Sequence, residues 1–114
     1  LIADADVGVV PLRIGSGTDI MLPTKLLEYV TIGIPCIAPK TGTIGRYFDD
    51  TMVQFFDAEQ VDSLAAAMVS LHRDPQRRSA LAREATRRFV ATYRWSHHKH
   101  IYTDLVERLL IPPR

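Results

Sequence analysis

The residues with the most chemical potential lie between Val7 and Glu28. A short apolar run, Val7 to Pro11, leads to Arg13, then Gly15-Ser16-Gly17-Thr18, then Asp19. A helical stretch opened by Pro23 and Thr24 follows, with Lys25 and Glu28 in its first turns. Glycines let a ligand approach the backbone closely. A helix N-terminus offers unpaired N–H groups and the positive end of a dipole, which suits phosphate. Lys25 adds a full positive charge at that same end, an arrangement a nearby anion would relieve. Glu28, one turn on, could accept two hydroxyls such as those of a ribose. Without a ligand, the same residues read as a flexible turn followed by an ordinary i, i+3 ion pair. The spacing is neither G-x-G-x-x-G nor a Walker motif.

These residues are positioned by alternating short elements. Val7–Pro11 reads as a buried strand, as do Pro35–Ala38 and Met52–Phe56. The helix between the first two starts at Pro23-Thr24 and stops at Gly33. Thr41 to Gly45 reads as a turn followed by one helical turn through Phe48. The second half is helical. Asp57 and Gln60 have the spacing of a capping box, ahead of Val61, Leu64, Met68 and Leu71 on one face. Asp74-Pro75 starts a second helix, in which Leu81, Ala85, Phe89 and Tyr93 repeat every four residues. A third runs from about Trp95 to Leu110, carried by Ile101, Leu105 and Leu109, and ends at Pro112-Pro113. Strand–helix–strand order implies parallel pairing. The fold class is therefore α/β, a Rossmann-like parallel sheet with flanking helices. Typical sheets have about five or six strands, so three imply the C-terminal part of a larger doubly wound domain. Its missing strands would leave an exposed sheet edge and apolar face prone to association. The expected division is 1–94 for this part of the domain and 95–114 for a closing helix.

The chain has 114 residues, 46% apolar and 24% charged, with one cysteine. That balance is of a globular protein, and no apolar run approaches the eighteen or so residues of a membrane span. A lone cysteine excludes a disulfide scaffold. With no basic-then-apolar leader in view, the expectation is an intracellular domain or a piece of one. Net charge is +1, but residues 73–100 carry eight basic against two acidic side chains, leaving −5 elsewhere. The stripe of Arg83, Arg87 and Arg94 lacks the interleaved aromatics of a nucleic-acid site. It reads as a solvated face, with an anionic membrane surface as the alternative partner. His97, His98 and His100 lack a further ligand cluster and read as a solvated helix start, so no metal is expected. Cys36 reads as a packing residue and Trp95 as an anchor for the last helix.

Several blocks resemble the C-terminal domain of retaining GT-B glycosyltransferases, the large group that includes glycogen and sucrose synthases and many bacterial polysaccharide enzymes. They are Ala5 to Leu12 (ADVGVVPL), Gly15 to Thr18 (GSGT), Pro23 to Tyr29 (PTKLLEY) and Gly33 to Ala38 (GIPCIA). The likeness continues through Gly42–Phe48 and Arg73-Asp74-Pro75 to Tyr93–Ser96. The resemblance implies two Rossmann-like domains, with a nucleotide-sugar donor held in the C-terminal one. Glu28 matches the glutamate that binds the ribose of UDP, GDP or ADP. Gly15, Ser16, Gly17, Thr18, Thr24 and Lys25 would face the diphosphate and donor sugar. It also implies that no metal or other cofactor is needed, helix dipoles and basic side chains taking that role.

The pattern departs from the group at one point. Many members carry a second glutamate eight residues before the first; here that position is Ile20, and Asp19 lies one residue off. The group's basic phosphate-contacting pair and its acceptor-binding domain lie upstream of anything present, so no catalytic residue is assigned and this chain alone should not catalyse transfer. The expected function is donor binding within a cytoplasmic enzyme, possibly one peripheral to the inner membrane face. The alternatives are a non-catalytic protein- or lipid-interaction module, or an epimerase on the same fold.

Overall fold

A computed structural model describes residues 1–112; Pro113, expected to help end the last helix, lies outside them. Three parallel strands form one sheet in the order β1 (Gly8–Val9), β2 (Cys36–Pro39), β3 (Gln54–Phe56). The register pairs Gly8 with Cys36 and Ile37 with Gln54. All three strands lie inside the expected runs or within one residue of them, but they are shorter. Side chains alternate across the sheet. Val10, Cys36 and Ala38 join Leu26, Val30, Ile44, Phe48 and Phe89 in one apolar cluster. Ile37 and Phe56 join Ala67, Leu71 and Leu81 on the opposite face. The α/β class and parallel pairing hold.

A one-turn helix, α1 (Ser16–Asp19), and then α2 (Thr24–Ile32) follow β1. Gly33 stops α2 in a left-handed conformation (φ 87°), and its N–H reaches the carbonyls of Tyr29 and Val30. The Ile34 N–H bonds the Tyr29 carbonyl at 2.9 Å, completing a Schellman ending. Leu26 and Val30 face inward, and Tyr29 lies across β1. A methyl group on Gly8 would sit 2.4 Å from the Tyr29 ring, so the absence of a side chain there seats α2 on the strand. The expected turn at Thr41–Gly45 is instead a six-residue helix, α3 (Gly42–Tyr47). Buried Thr41 caps it by accepting from the Ile44 N–H at 3.2 Å.

The remaining helices differ more from expectation. In α4 (Val61–Arg73) the inward residues are Ala67 and Leu71, with Leu64 half-buried; Val61 and Met68 are exposed. The capping box does not form. Instead the Ser63 hydroxyl accepts from the Asp57 N–H at 2.8 Å, and Glu59 turns the chain with φ 65°. Asp74 caps α5 (Pro75–Ala85) through the Arg77 N–H, as the Asp-Pro pair implies. A π-helical turn, Thr86–Val90, continues α5 into α6 (Ala91–Tyr93). A strict four-residue repeat drifts by about 40° per step on an α-helix, and the wider π turn takes up that drift. Leu81, Ala85 and Phe89 thereby stay buried, Phe89 stacking on Phe48 at 4.9 Å, while Tyr93 emerges half-exposed. Thr86 donates its hydroxyl to the Val30 carbonyl at 2.8 Å, tying this turn to the end of α2.

The last helix, α7 (Trp95–Leu110), has no buried residue. Ile101, Leu105 and Leu109, expected to carry its packing, are exposed, and Trp95 leans on Tyr102 of its own helix rather than anchoring it. His97 and His98 turn back to the carbonyls of Ala91 and Thr92, which gives them a role in the α6–α7 corner. With α7 extended, the chain measures 63 × 29 × 25 Å. It exposes 7956 Å², against roughly 6,300 Å² for a closed globule of its mass. No helix among the described residues is long and apolar enough to cross a membrane.

The basic cluster is largely consumed by structure. Arg78 caps the end of α4 at the Leu71 and His72 carbonyls, and Arg77 bonds Gln54 of β3. Arg88 pairs with Asp49 at 2.7 Å and Arg87 with Glu84 at 2.6 Å. Two predictions follow from these contacts. Gly8→Ala should lower stability by about 1–3 kcal/mol through overpacking, and by much less in a Tyr29→Leu background; urea-unfolding midpoints of the four proteins check this. The Thr51 hydroxyl and then the Arg88 guanidinium hold the Asp49 carboxyl below the usual carboxylate range. Its contribution is therefore present above the unfolded value of about 4 and lost as pH falls through the lower folded value. Melting temperatures of Asp49→Asn should accordingly fall less steeply than wild type below about pH 4.

Candidate functional site

Parallel strands place all their carboxyl ends, and the loops leading from them, along one edge. The loop after β1 is held in shape by Thr18, whose hydroxyl donates to the carbonyls of Arg13 (2.6 Å) and Gly15 (3.1 Å). The Asp19 N–H closes the turn on the Gly15 carbonyl at 2.9 Å. Gly15 is extended (φ −169°), and a methyl group on it would meet only the Thr18 hydroxyl at 3.6 Å. One on Gly17 would meet nothing within 4 Å. Neither glycine is required by the packing or the backbone angles of this chain. Their missing side chains leave the backbone at Gly15–Thr18 open to an approaching group.

Thr24, Lys25 and Glu28 are exposed on α2, which starts after buried Pro23. Lys25 Nζ lies 3.1 Å from Glu28 Oε2, with both side chains about half exposed (51% and 44%). Solvent screens such a pair to about 1 kcal/mol or less, so a ligand can take over either partner at small cost. Glu28 lines a shallow groove of about 280 Å³ with Thr24, Leu27, Thr31 and Ile32. Gly15–Thr18 do not line that groove; the loop and Glu28 stand on successive elements leaving the same strand.

Asp19 is engaged elsewhere. Its carboxylate accepts from the Gly42 N–H at 2.8 Å, and its carbonyl accepts from the Thr43 hydroxyl at 2.9 Å. It does not stand in the open part of the loop, and Ile20, at the position of the group's second glutamate, is exposed. Two roomier cavities open beside the carboxyl ends of β1 and β3. One, of about 450 Å³, is lined by Leu12, Arg13, Phe56 and Gln60; the other, of about 640 Å³, includes Ile14, Lys40 and Phe56. Sequence reasoning passed over Lys40, although it directly follows β2 and so lies where ligands meet an open parallel sheet. Glu59, on the rim of the first cavity, carries no sequence signal for its left-handed backbone.

Cys36 is not a nucleophile, because burial pushes its thiol up to about 12. Among the described residues there is no group of three His, Cys, Asp or Glu side chains arranged to hold a metal ion. The exposed face of this edge presents backbone amides, one lysine and one carboxylate, chemistry suited to binding rather than to proton transfer.

The fold has a known counterpart. Sucrose-phosphate synthase from Thermosynechococcus elongatus superposes with a TM-score of 0.77 over 92% of this chain, at 21% identity. The chain spans 25% of the length of that structure. No match is found among curated proteins. The family described as glycosyl transferase-like matches residues 2–104. That match takes in the glycine loop, α2 and both flanking strands, and the chain belongs to this glycosyltransferase family, with the fold of a GT-B C-terminal domain.

Proposed function

We propose that this chain is the donor-binding portion of an enzyme that transfers a sugar from a nucleotide diphosphate to an acceptor hydroxyl. The observation that carries the reading is the pair of glycines, Gly15 and Gly17, that nothing in the chain's own packing requires. They stand at the carboxyl end of β1, immediately ahead of a helix start bearing Lys25 and Glu28. The N–H groups of Ser16, Gly17 and Thr18 and the exposed N-terminal turn of α2 at Thr24 would face the diphosphate, with Lys25 supplying the full charge. Glu28, released from Lys25, would accept hydrogen bonds from the ribose hydroxyls.

In the transfer, the bond from the anomeric carbon to the diphosphate oxygen breaks and a bond to the acceptor oxygen forms. The electron pair leaves with the diphosphate and the acceptor loses its proton. Negative charge builds on the leaving group, and donors aimed at that charge beforehand lower the barrier. This chain's contribution is such donors. The acceptor site and the proton's destination belong to the rest of the enzyme, and no metal or other cofactor enters the scheme.

Thermal shift of the intact enzyme with UDP, GDP and ADP tests the reading. A nucleotide at a hundred times its dissociation constant should add about 2.7 kcal/mol of stability. Glu28→Ala should weaken it by the value of a charged hydrogen bond, about 1.5–3 kcal/mol or roughly 10- to 100-fold. No shift with any nucleotide would favour a non-catalytic interaction module. A shift undiminished in Glu28→Ala would keep the enzyme and move the ribose contact elsewhere.

A further inference from the structure

We infer that Asp19 is a positioning residue for the donor loop, clamping the Gly15–Asp19 turn to the start of α3; this rests on the reading of that turn as the donor site. Among the described residues, the side-chain hydrogen bonds that join the turn to another element are the two through Asp19: its carboxylate to the Gly42 N–H and its carbonyl to the Thr43 hydroxyl. Thr18 shapes the turn from within but ties it to nothing beyond Arg13. Two glycines make the turn intrinsically loose, since glycine loses more conformational freedom on ordering than any other residue. The turn therefore keeps one shape only through its outside tether.

The other end of the tether is rigid. Thr41 is 3% exposed and caps α3, while Ile44 and Phe48 are sunk in the core at 0% and 2%. Gly42 is fitted to the carboxylate specifically: a methyl group there would sit 2.8 Å from one Asp19 oxygen and 3.2 Å from the other. Residues 19 and 42 are thus matched across 23 positions of sequence, and neither buries apolar surface in doing so. Breaking the tether leaves the core untouched and lets the turn wander. The apparent donor affinity then falls by the fraction of time the turn spends in its competent shape.

The test uses the intact enzyme with UDP, GDP or ADP, whichever binds, and the matching nucleotide sugar. Asp19→Ala and Gly42→Ala should each raise the nucleotide dissociation constant and the donor KM about tenfold, as for a turn competent about a tenth of the time. Melting temperature and kcat should change little. Asp19→Asn keeps a side-chain carbonyl for the Gly42 N–H and should restore most of the affinity. The double variant should bind no more weakly than either single one, because both remove the same tether. Unfolding alone would lower apparent kcat without raising KM, so a variant showing only that contradicts a positioning role. Wild-type affinity in a folded Asp19→Ala protein would overturn the clamp while leaving the donor site standing. An Asp19→Asn variant as weak as Asp19→Ala would overturn it in favour of direct contact between the charge and the donor. A wild-type enzyme that binds no nucleotide would remove the donor reading, and the clamp's role with it.

Discussion

β2 is hydrogen-bonded on both sides to strands running in its own direction, and the position of every binding group depends on that. Parallel pairing forces each connection to return the full length of the sheet, here through α2 and then α3, so the chain leaves β1 and β2 at the same edge. Two loops far apart in sequence become neighbours, one bearing open glycines and the other the start of α3. The strand itself is buried along its whole length, with Cys36 and Ala38 packed on one face and Ile37 on the other. Close packing at β1, where Gly8 leaves room for the Tyr29 ring, fixes the helix that follows and with it the direction in which Lys25 and Glu28 point.

The edge so formed separates rigid from adaptable parts. Thr41, Ile44 and Phe48 root α3 in the core, and the Schellman ending and Thr86 fix the far end of α2. Exposed groups then need only short reach: the amides of the glycine turn, one lysine and one glutamate that neutralise each other in the absence of a ligand. That mutual pairing is weak in water, which leaves both groups available to a ligand carrying phosphates and hydroxyls. The basic excess of the second half belongs to a different task, since Arg77, Arg78 and Arg88 stitch α5 and its continuation to β3, α4 and the loop before β3.

Much of this was legible from residue order. Strand positions followed from short apolar runs, the end of α2 from Gly33, and the start of α5 from Asp74-Pro75, because each depends on local backbone chemistry. Glu28 and the glycine turn stood out for the same reason, and the structure places them on one loop–helix unit. What escaped notice depends on partners distant in sequence. Asp19 looked like a misplaced donor contact, and its tie to Gly42 is visible only once β1 and β2 are paired. The inward face of α4 passes through Ala67 rather than Met68 because it must sit on Ile37 and Phe56. The apolar pattern of α7 promised burial, yet Ile101, Leu105 and Leu109 face outward, since periodicity shows that a face is apolar without showing what covers it.

Hydrogen–deuterium exchange on the intact enzyme, with and without its nucleoside diphosphate, tests the central claim most directly. A site at the carboxyl end of β1 requires that the amides of Ser16, Gly17 and Thr18 and the first turn of α2 exchange more slowly when nucleotide is bound. Protection confined to the cavities at Phe56 and Gln60, with the glycine turn unchanged, would contradict it.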